Sequence, residues 1–332
     1  MDTATICWDA ETESIRYIDQ TELPARFVVV SCSSVARLAE AIVRLEIRGA
    51  PALGAAGGYG VALAACRSDR KGDAFFEDVQ SNAELLRRTR PTAVNLGWGI
   101  DRVLKACIDA GSPASAREAA VREAEAIARE DSLLCRRIGG HGALLLPDSC
   151  TVLTHCNAGA LACVEWGTAL GVIRSAVAAG KDIRVVACET RPLNQGSRLT
   201  AWELSRDGID VRVVPDSSAA HLMRQGLIDA VIVGADRICR DAVFNKIGTY
   251  MHAVCAKHHN IPFYVAAPYS TFDNDALEDE IVIEERGRAE LASCGGRLLL
   301  PEGVAVINPA FDATPLSLIT GIITENGVIY PE

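Results

Sequence analysis

The spacing of apolar residues along the 332-residue chain changes near residue 145. Before that point, three short strand-like runs at 5–8, 14–18 and 27–32 lead into helical spacing, with Pro24 breaking the chain before the third run. Helices are predicted over 35–46, 51–66, 74–88, 93–110 and 115–138. The last carries acidic residues early and Arg136-Arg137 late, which suits the helix dipole, and Gly139-Gly140 is expected to stop it.

Beyond 144–149 the apolar runs shorten and alternate with helical segments. Strands are predicted at 151–154, 183–188, 211–215, 230–233, 263–267 and 304–307, with helices at 167–179, 197–207, 219–224 and 247–259. Such alternation implies a mostly parallel sheet covered on both faces. The fold class is therefore α/β, with a mainly helical N-terminal domain bearing a small sheet at 1–145 and a domain built on the mostly parallel sheet at 146–332.

Composition narrows the function. Thirty-three basic against 43 acidic residues give a net charge of −10, which argues against general nucleic-acid or membrane-surface binding. An anionic metabolite needs only a few local arginines or amides and stays open. The twelve cysteines are scattered without a Cys-x-x-Cys, so they suit small buried hydrophobes better than a disulfide framework. Met1-Asp2-Thr3-Ala4-Thr5 has no basic, secretory-type start, and no apolar run is long enough to span a bilayer. A cytoplasmic protein is expected.

The densest chemistry lies in Thr154-His155-Cys156-Asn157-Ala158-Gly159 and Gly234-Ala235-Asp236-Arg237-Ile238, each following a strand-like run. If those strands share one parallel sheet, Cys156 and Asp236 emerge at the same carboxyl edge, where such sheets place ligands. A thiol and a carboxyl there can divide the proton or hydride work on one sugar-sized substrate.

Other segments add anion-binding groups. Arg48-Gly49-Ala50-Pro51 opens a helix whose free amides can receive phosphate, although the small residues that follow also suit close helix packing. Arg90 precedes another apolar helix in Arg90-Pro91-Thr92-Ala93-Val94-Asn95, and Lys246 follows Asn245 just before a helix whose amides are expected to be open. Glu189-Thr190-Arg191-Pro192-Leu193-Asn194-Gln195-Gly196 brings polar groups to a third strand end, and Pro215-Asp216-Ser217-Ser218 to a fourth, where they can orient sugar hydroxyls, although Asp216 and Ser217 also fit helix N-capping. No dinucleotide fingerprint, Walker A sequence or metal-ligand spacing is present, so a site without metal, nucleotide or other cofactor is expected.

Together these motifs resemble the methylthioribose-1-phosphate isomerase family, from Thr21-Glu22-Leu23-Pro24 through Leu199-Thr200-Ala201-Trp202-Glu203-Leu204 and Glu284-Glu285-Arg286 to Asn308-Pro309-Ala310-Phe311-Asp312. The resemblance implies a homodimer with a Rossmann-like C-terminal domain, and a small-molecule sugar phosphate as partner rather than nucleic acid or membrane. It assigns Cys156 and Asp236 to catalysis, and Arg48, Gly49, Ala50, Arg90, Gln195, Asn245 and Lys246 to substrate binding. The implied reaction converts 5-methylthioribose 1-phosphate to 5-methylthioribulose 1-phosphate in methionine salvage.

Because the anomeric oxygen carries phosphate, ring opening needs a proton on the ring oxygen. Asp236 is the candidate donor, kept protonated by burial. Cys156 then either shuttles a proton between C2 and C1 or assists a hydride shift; the scarcity of bases beside it favours the hydride shift. Two departures from the family pattern bear on the substrate's 5-substituent: an interval between Asp236 and Asn245 that is one residue short, and the residues Cys188 and Asn194. The alternatives are an isomerase of 5-deoxyribose 1-phosphate or ribose 1,5-bisphosphate, or a non-catalytic regulatory subunit like those of the translation-initiation exchange factor.

Overall fold

The computed structural model describes residues 4–91 and 93–331. Met1, Asp2 and Thr3 of the N-terminal reading, Thr92 of the arginine motif, and Glu332 lie outside the described residues. The chain forms two compact units: one runs up to Leu134 and includes Ala160–Gly167, and the other comprises Cys135–Gly159 and everything from Thr168 onward.

In the first unit β1 (Ile6–Asp9), β2 (Ser14–Ile18) and β3 (Val29–Cys32) form an antiparallel sheet with β2 in the middle. Within β2 every residue is buried except Arg16, whose side chain lies opposite those of its buried neighbours Ile15 and Tyr17. Helices α1 (Val35–Val43), α2 (Ala50–Arg67), α3 (Asp73–Arg87) and α4 (Val94–Asp109) follow, then α5 (Pro113–Ala143), whose residues from Cys135 onward belong to the second unit. The Ala/Gly-rich α2 is buried continuously from Ala52 to Ala65, because its small side chains let neighbouring elements approach on every side.

The expected stop at Gly139-Gly140 does not occur, since α5 continues to Ala143. Gly139 instead permits close packing: a Cβ there would lie 2.3 Å from Ser175 Oγ and 2.8 Å from Gly171 O. A glycine inside a helical pattern can mark a contact as well as an end.

The second unit contains β4 (Ser149–Thr154), α6 (Ala169–Ala178), β5 (Asp182–Cys188), α7 (Ala201–Arg206), β6 (Val211–Val214), α8 (Ala219–Arg224) and β7 (Ala230–Val233). Then come β8 (Arg237–Ile238), β9 (Ala242–Lys246), α9 (Thr249–His258), β10 (Phe263–Ala266), α10 (Arg288–Ala292), β11 (Ser293–Cys294), β12 (Arg297–Leu298), β13 (Phe311–Pro315), β14 (Gly321–Thr324) and β15 (Gly327–Ile329). The main sheet has the order β15-β14-β10-β7-β4-β5-β6, parallel except for β15. Taken from β6 to β14, this is the doubly wound arrangement, whose strand order reverses between β4 and β7.

Adjacent residues of each strand serve opposite faces. Val152, Val185 and Ile232 pack with Leu170 and Ile173 of α6, whereas Leu153, Val186 and Val231 pack with Met223 of α8 and Ala253 of α9. Both faces are covered, which explains the nearly continuous apolar runs.

The strand predicted at 304–307 is absent. Val304 is 44% exposed and Ile307 83% exposed, and the strand beside β10 in the sheet is instead β14. An apolar run without a covering layer has no burial to hold it in a sheet.

Candidate active site

Four loops leave the carboxyl ends of neighbouring parallel strands, and each carries site chemistry. Cys156 follows β4, Thr190 and Gln195 follow β5, Asp216 follows β6 and Asp236 follows β7. Val152 pairs with Ala230 and Leu153 with Val231, so Cys156 and Asp236 leave adjacent strands at the reversal of strand order.

Cys156 is half-buried and has φ 63°, a left-handed backbone that is unusual for a non-glycine residue. Its N–H donates to Thr190 Oγ1 at 2.8 Å, and its carbonyl accepts from Thr200 Oγ1 at 2.6 Å. Thr190, at φ 66°, is held in turn by its own N–H to Asp216 Oδ1 at 2.7 Å. Asp216 Oδ2 accepts from Arg191 N at 2.8 Å. The capping role expected of Asp216 is thus replaced by a clamp on the loop after β5.

Neighbouring groups lock the loop after β4. Asn157 Nδ2 donates to Glu203 Oε1 at 2.9 Å, and buried Glu203 also receives Arg174 Nη2 at 2.9 Å. His155 Nε2 donates to Ile247 O at 2.8 Å, and the ring meets His252 edge to face. Burial pushes its pKa down to about 4, so the ring is neutral at neutral pH.

Asp236 is exposed, which corrects the expectation that it is buried. Its N–H donates to Phe244 O at 2.9 Å, where β8 and β9 form a hairpin closed by Cys239 N to Ala242 O at 2.8 Å. The shortened interval is therefore a complete tight hairpin. It places Asn245 and Lys246 at the end of β9, which also pairs with β13.

Lys246 Nζ donates to Ala310 O at 2.9 Å and lies 4.4 Å from the centre of the Phe311 ring. The open amides expected beside it are already engaged: Gly248 N donates to Asp312 Oδ2 at 2.7 Å and Tyr250 N to Asp312 Oδ1 at 3.1 Å. Burial nevertheless raises the Asp312 pKa to about 6. Asn245 Nδ2 donates to Thr249 Oγ1 at 3.0 Å. Buried Gln195 leaves Oε1 without a hydrogen-bond partner among the described residues, an acceptor suited to a hydroxyl.

In the first unit, Arg48 Nε donates to Gln20 Oε1 at 3.0 Å, and Gln20 Nε2 donates to Leu161 O at 2.7 Å. Gly49, at φ 93°, precedes α2, and a Cβ there would lie 2.4 Å from Ala162 Cα, so no larger residue fits. Ala50 begins α2, which has no side-chain N-cap bond. Arg90 lines a cleft of about 660 Å³ with Arg87, Trp98, Arg102 and Lys105.

Gln20, His252, the clamp made by Asp216 and the contacts of Asp312 were not foreseen from sequence. Asp216 and Asp312 had a signal, the first as a polar strand-end residue and the second as the last residue of the Asn308-to-Asp312 motif.

A doubly wound α/β unit with a thiol and a carboxyl at its strand-order reversal defines a class of small-molecule enzyme sites. Residues 46–331 match the initiation factor 2 subunit family, and the chain belongs to that family. It is similar to a methylthioribose-1-phosphate isomerase of Thermotoga neapolitana, with 51% identity covering 99% of this chain and 95% of that one. A solved 5-methylthioribose 1-phosphate isomerase from Pyrococcus horikoshii superposes with a TM-score of 0.93 at 44% identity, covering 99% and 93% of the two chains. A solved structure from A. fulgidus, described as translation initiation factor eIF-2B subunit delta, matches with a TM-score of 0.91 at 56% identity, covering 99% and 96%.

Proposed function

We propose that the protein is an aldose–ketose isomerase that converts 5-methylthioribose 1-phosphate to 5-methylthioribulose 1-phosphate, without a metal or other cofactor. The observation that carries the reading is the emergence of Cys156 and Asp236 from the adjacent, paired strands β4 and β7. The similarity to isomerases of Thermotoga neapolitana and Pyrococcus horikoshii supports the same substrate. Methionine salvage, a cytoplasmic location and a homodimer follow as parts of this proposal. Among the described residues, no helix is long and apolar enough to cross a membrane.

In the proposed reaction Asp236 protonates the ring oxygen. Its exposure in the second unit means that substrate itself must help exclude water and keep the carboxyl protonated. Arg48, Gly49, Ala50, Arg90, Gln195, Asn245 and Lys246 bind substrate, with Arg48 and Lys246 supplying charge for phosphate and Gln195 Oε1 accepting from a sugar hydroxyl. Cys156 serves the C2-to-C1 transfer. His155 Nε2 is committed to Ile247 O, and the transfer is read as a hydride shift assisted by Cys156.

The test is turnover of the purified chain on the 1-phosphates of 5-methylthioribose, 5-deoxyribose and ribose 5-phosphate. The highest kcat/KM is expected on the methylthio sugar, with EDTA leaving it unchanged. Preference for another sugar would reassign the substrate, and no turnover on any of them would favour the regulatory-subunit alternative. In deuterated water, a hydride shift leaves C1 of the product without solvent deuterium.

A further inference from the structure

On the second unit, four side chains capable of holding a metal converge beneath the loop that carries Cys156. They are His155 after β4, Cys188 at the end of β5, Asp216 after β6 and His252 of α9. One donor atom from each lies within 4.8 Å of all the others. His155, Cys188 and His252 are buried, and Asp216 is half-buried. The sequence pattern concealed the group because each member comes from a different element.

The donor spacing fits a small tetrahedral cation. His252 Nε2 lies 3.2 Å from His155 Nδ1, and His155 Nδ1 lies 3.8 Å from Asp216 Oδ1. Zinc bonds of about 2.0–2.2 Å to nitrogen and oxygen give tetrahedral donor–donor edges of roughly 3.3–3.6 Å. The two separations fall on either side of that range.

The hydrogen bonds also fix the ring protons. His155 Nε2 faces the carbonyl of Ile247 and must donate, so its Nδ1 is a lone pair directed into the cluster. A backbone carbonyl orients many metal-bound histidines in this way. His252 Nε2 must then donate to His155 Nδ1, which leaves His252 Nδ1 as a bare lone pair. That atom is buried and has no hydrogen-bond partner among the described residues. A cation ligated by His155 Nδ1 and His252 Nε2 would replace the hydrogen bond between the two rings, with the His252 proton moving to the unpartnered Nδ1.

We propose that His155, Cys188, Asp216 and His252 bind one divalent cation of the zinc class, at a site separate from the metal-free isomerase chemistry. On binding, the Cys188 S–H bond breaks, sulfur bonds to the cation, and the thiol proton passes to solvent. Both imidazoles stay neutral, and the His252 proton rests on whichever ring nitrogen does not ligate. Thiolate and carboxylate together neutralise the cation's two charges in a largely dry pocket. Asp216 already accepts from Thr190 N, and Thr190 Oγ1 accepts from Cys156 N, so the cation would sit two hydrogen bonds from the catalytic thiol.

The experiment titrates full-length protein, first stripped with chelator, with Co²⁺ and then Zn²⁺, under optical absorption. The proposal predicts one Co²⁺ per chain, with tetrahedral d–d bands and a near-ultraviolet thiolate-to-cobalt band, both lost when Zn²⁺ is added. Cys188→Ser should lose the thiolate band. His252→Asn, which leaves every cysteine in place, should weaken Co²⁺ binding by roughly tenfold or more. Circular dichroism confirms that each variant is folded. A thiolate band that persists in Cys188→Ser, unchanged affinity in folded His252→Asn, or no stoichiometric Co²⁺ binding in the wild type would overturn the proposal.

Discussion

The N–H of Cys156 donates to Thr190 Oγ1 over 2.8 Å, joining two residues whose backbones are both left-handed, at φ 63° and 66°. Such conformations at non-glycine residues cost on the order of 1–3 kcal/mol each and persist where surrounding bonds over-determine them. Here those bonds come from Thr200 to the Cys156 carbonyl and from Thr190 N to Asp216. The arrangement fixes the backbone that carries the thiol before any substrate arrives.

Thr190→Val keeps the side-chain shape and removes the acceptor, leaving Cys156 N unpaired. A stability loss of about 1–3 kcal/mol is expected in denaturant titration. Turnover should fall through kcat more than through KM, and Thr190→Ser should restore both. Wild-type stability and kcat in the valine variant would remove the bond from the account.

Glu203 carries the other anchor of this loop, accepting from Asn157 Nδ2 and Arg174 Nη2 while almost wholly buried. Removing one partner of a buried ion pair strands the other charge. Glu203→Ala should therefore cost about 3–5 kcal/mol in urea unfolding. A loss under about 1 kcal/mol would mean that Arg174 is adequately served by Asp207, which its Nε meets at 2.7 Å.

Asp312 provides a pH signature. Burial raises its pKa from 3.8 to about 6 in the folded protein, although Gly248 N and Tyr250 N oppose that shift. Between those values the folded state holds a proton that the unfolded chain has released, so this contribution to stability falls as pH rises from about 4 to 6. Asp312→Asn removes the titration. The melting temperature of the variant relative to wild type should move in the variant's favour across that window, on top of a constant loss from having one carbonyl oxygen for two amides. Parallel pH profiles of the two proteins would contradict the assignment.

Much of the second unit was legible because its strands are buried on both faces, so that apolar runs such as 151–154 and 230–233 stand out between turn residues. Cys156 and Asp236 were legible for the same reason, since each follows such a run. The small sheet of β8, β9 and β13 was hidden, because β13 lies more than sixty positions beyond β9 and local spacing carries no record of that pairing. The Asp216 clamp and the occupied α9 amides were hidden likewise: a capping residue and a cross-chain clamp look alike in sequence. The run at 304–307 misled because apolar spacing is read without knowing whether a layer exists to cover it.

The central claim is that Cys156 takes part in isomerising a sugar 1-phosphate. Its most direct test is the kcat of Cys156→Ser beside wild type on 5-methylthioribose 1-phosphate, followed by NMR of the ketose product, with both proteins shown to be folded. The account predicts ketose formation by the wild type and a fall of roughly 10²–10⁴-fold in the variant, the range expected when a proton-transfer group is lost. Turnover by folded Cys156→Ser within about tenfold of wild type would contradict it, because losing that little would leave the thiol no substantial part in the barrier.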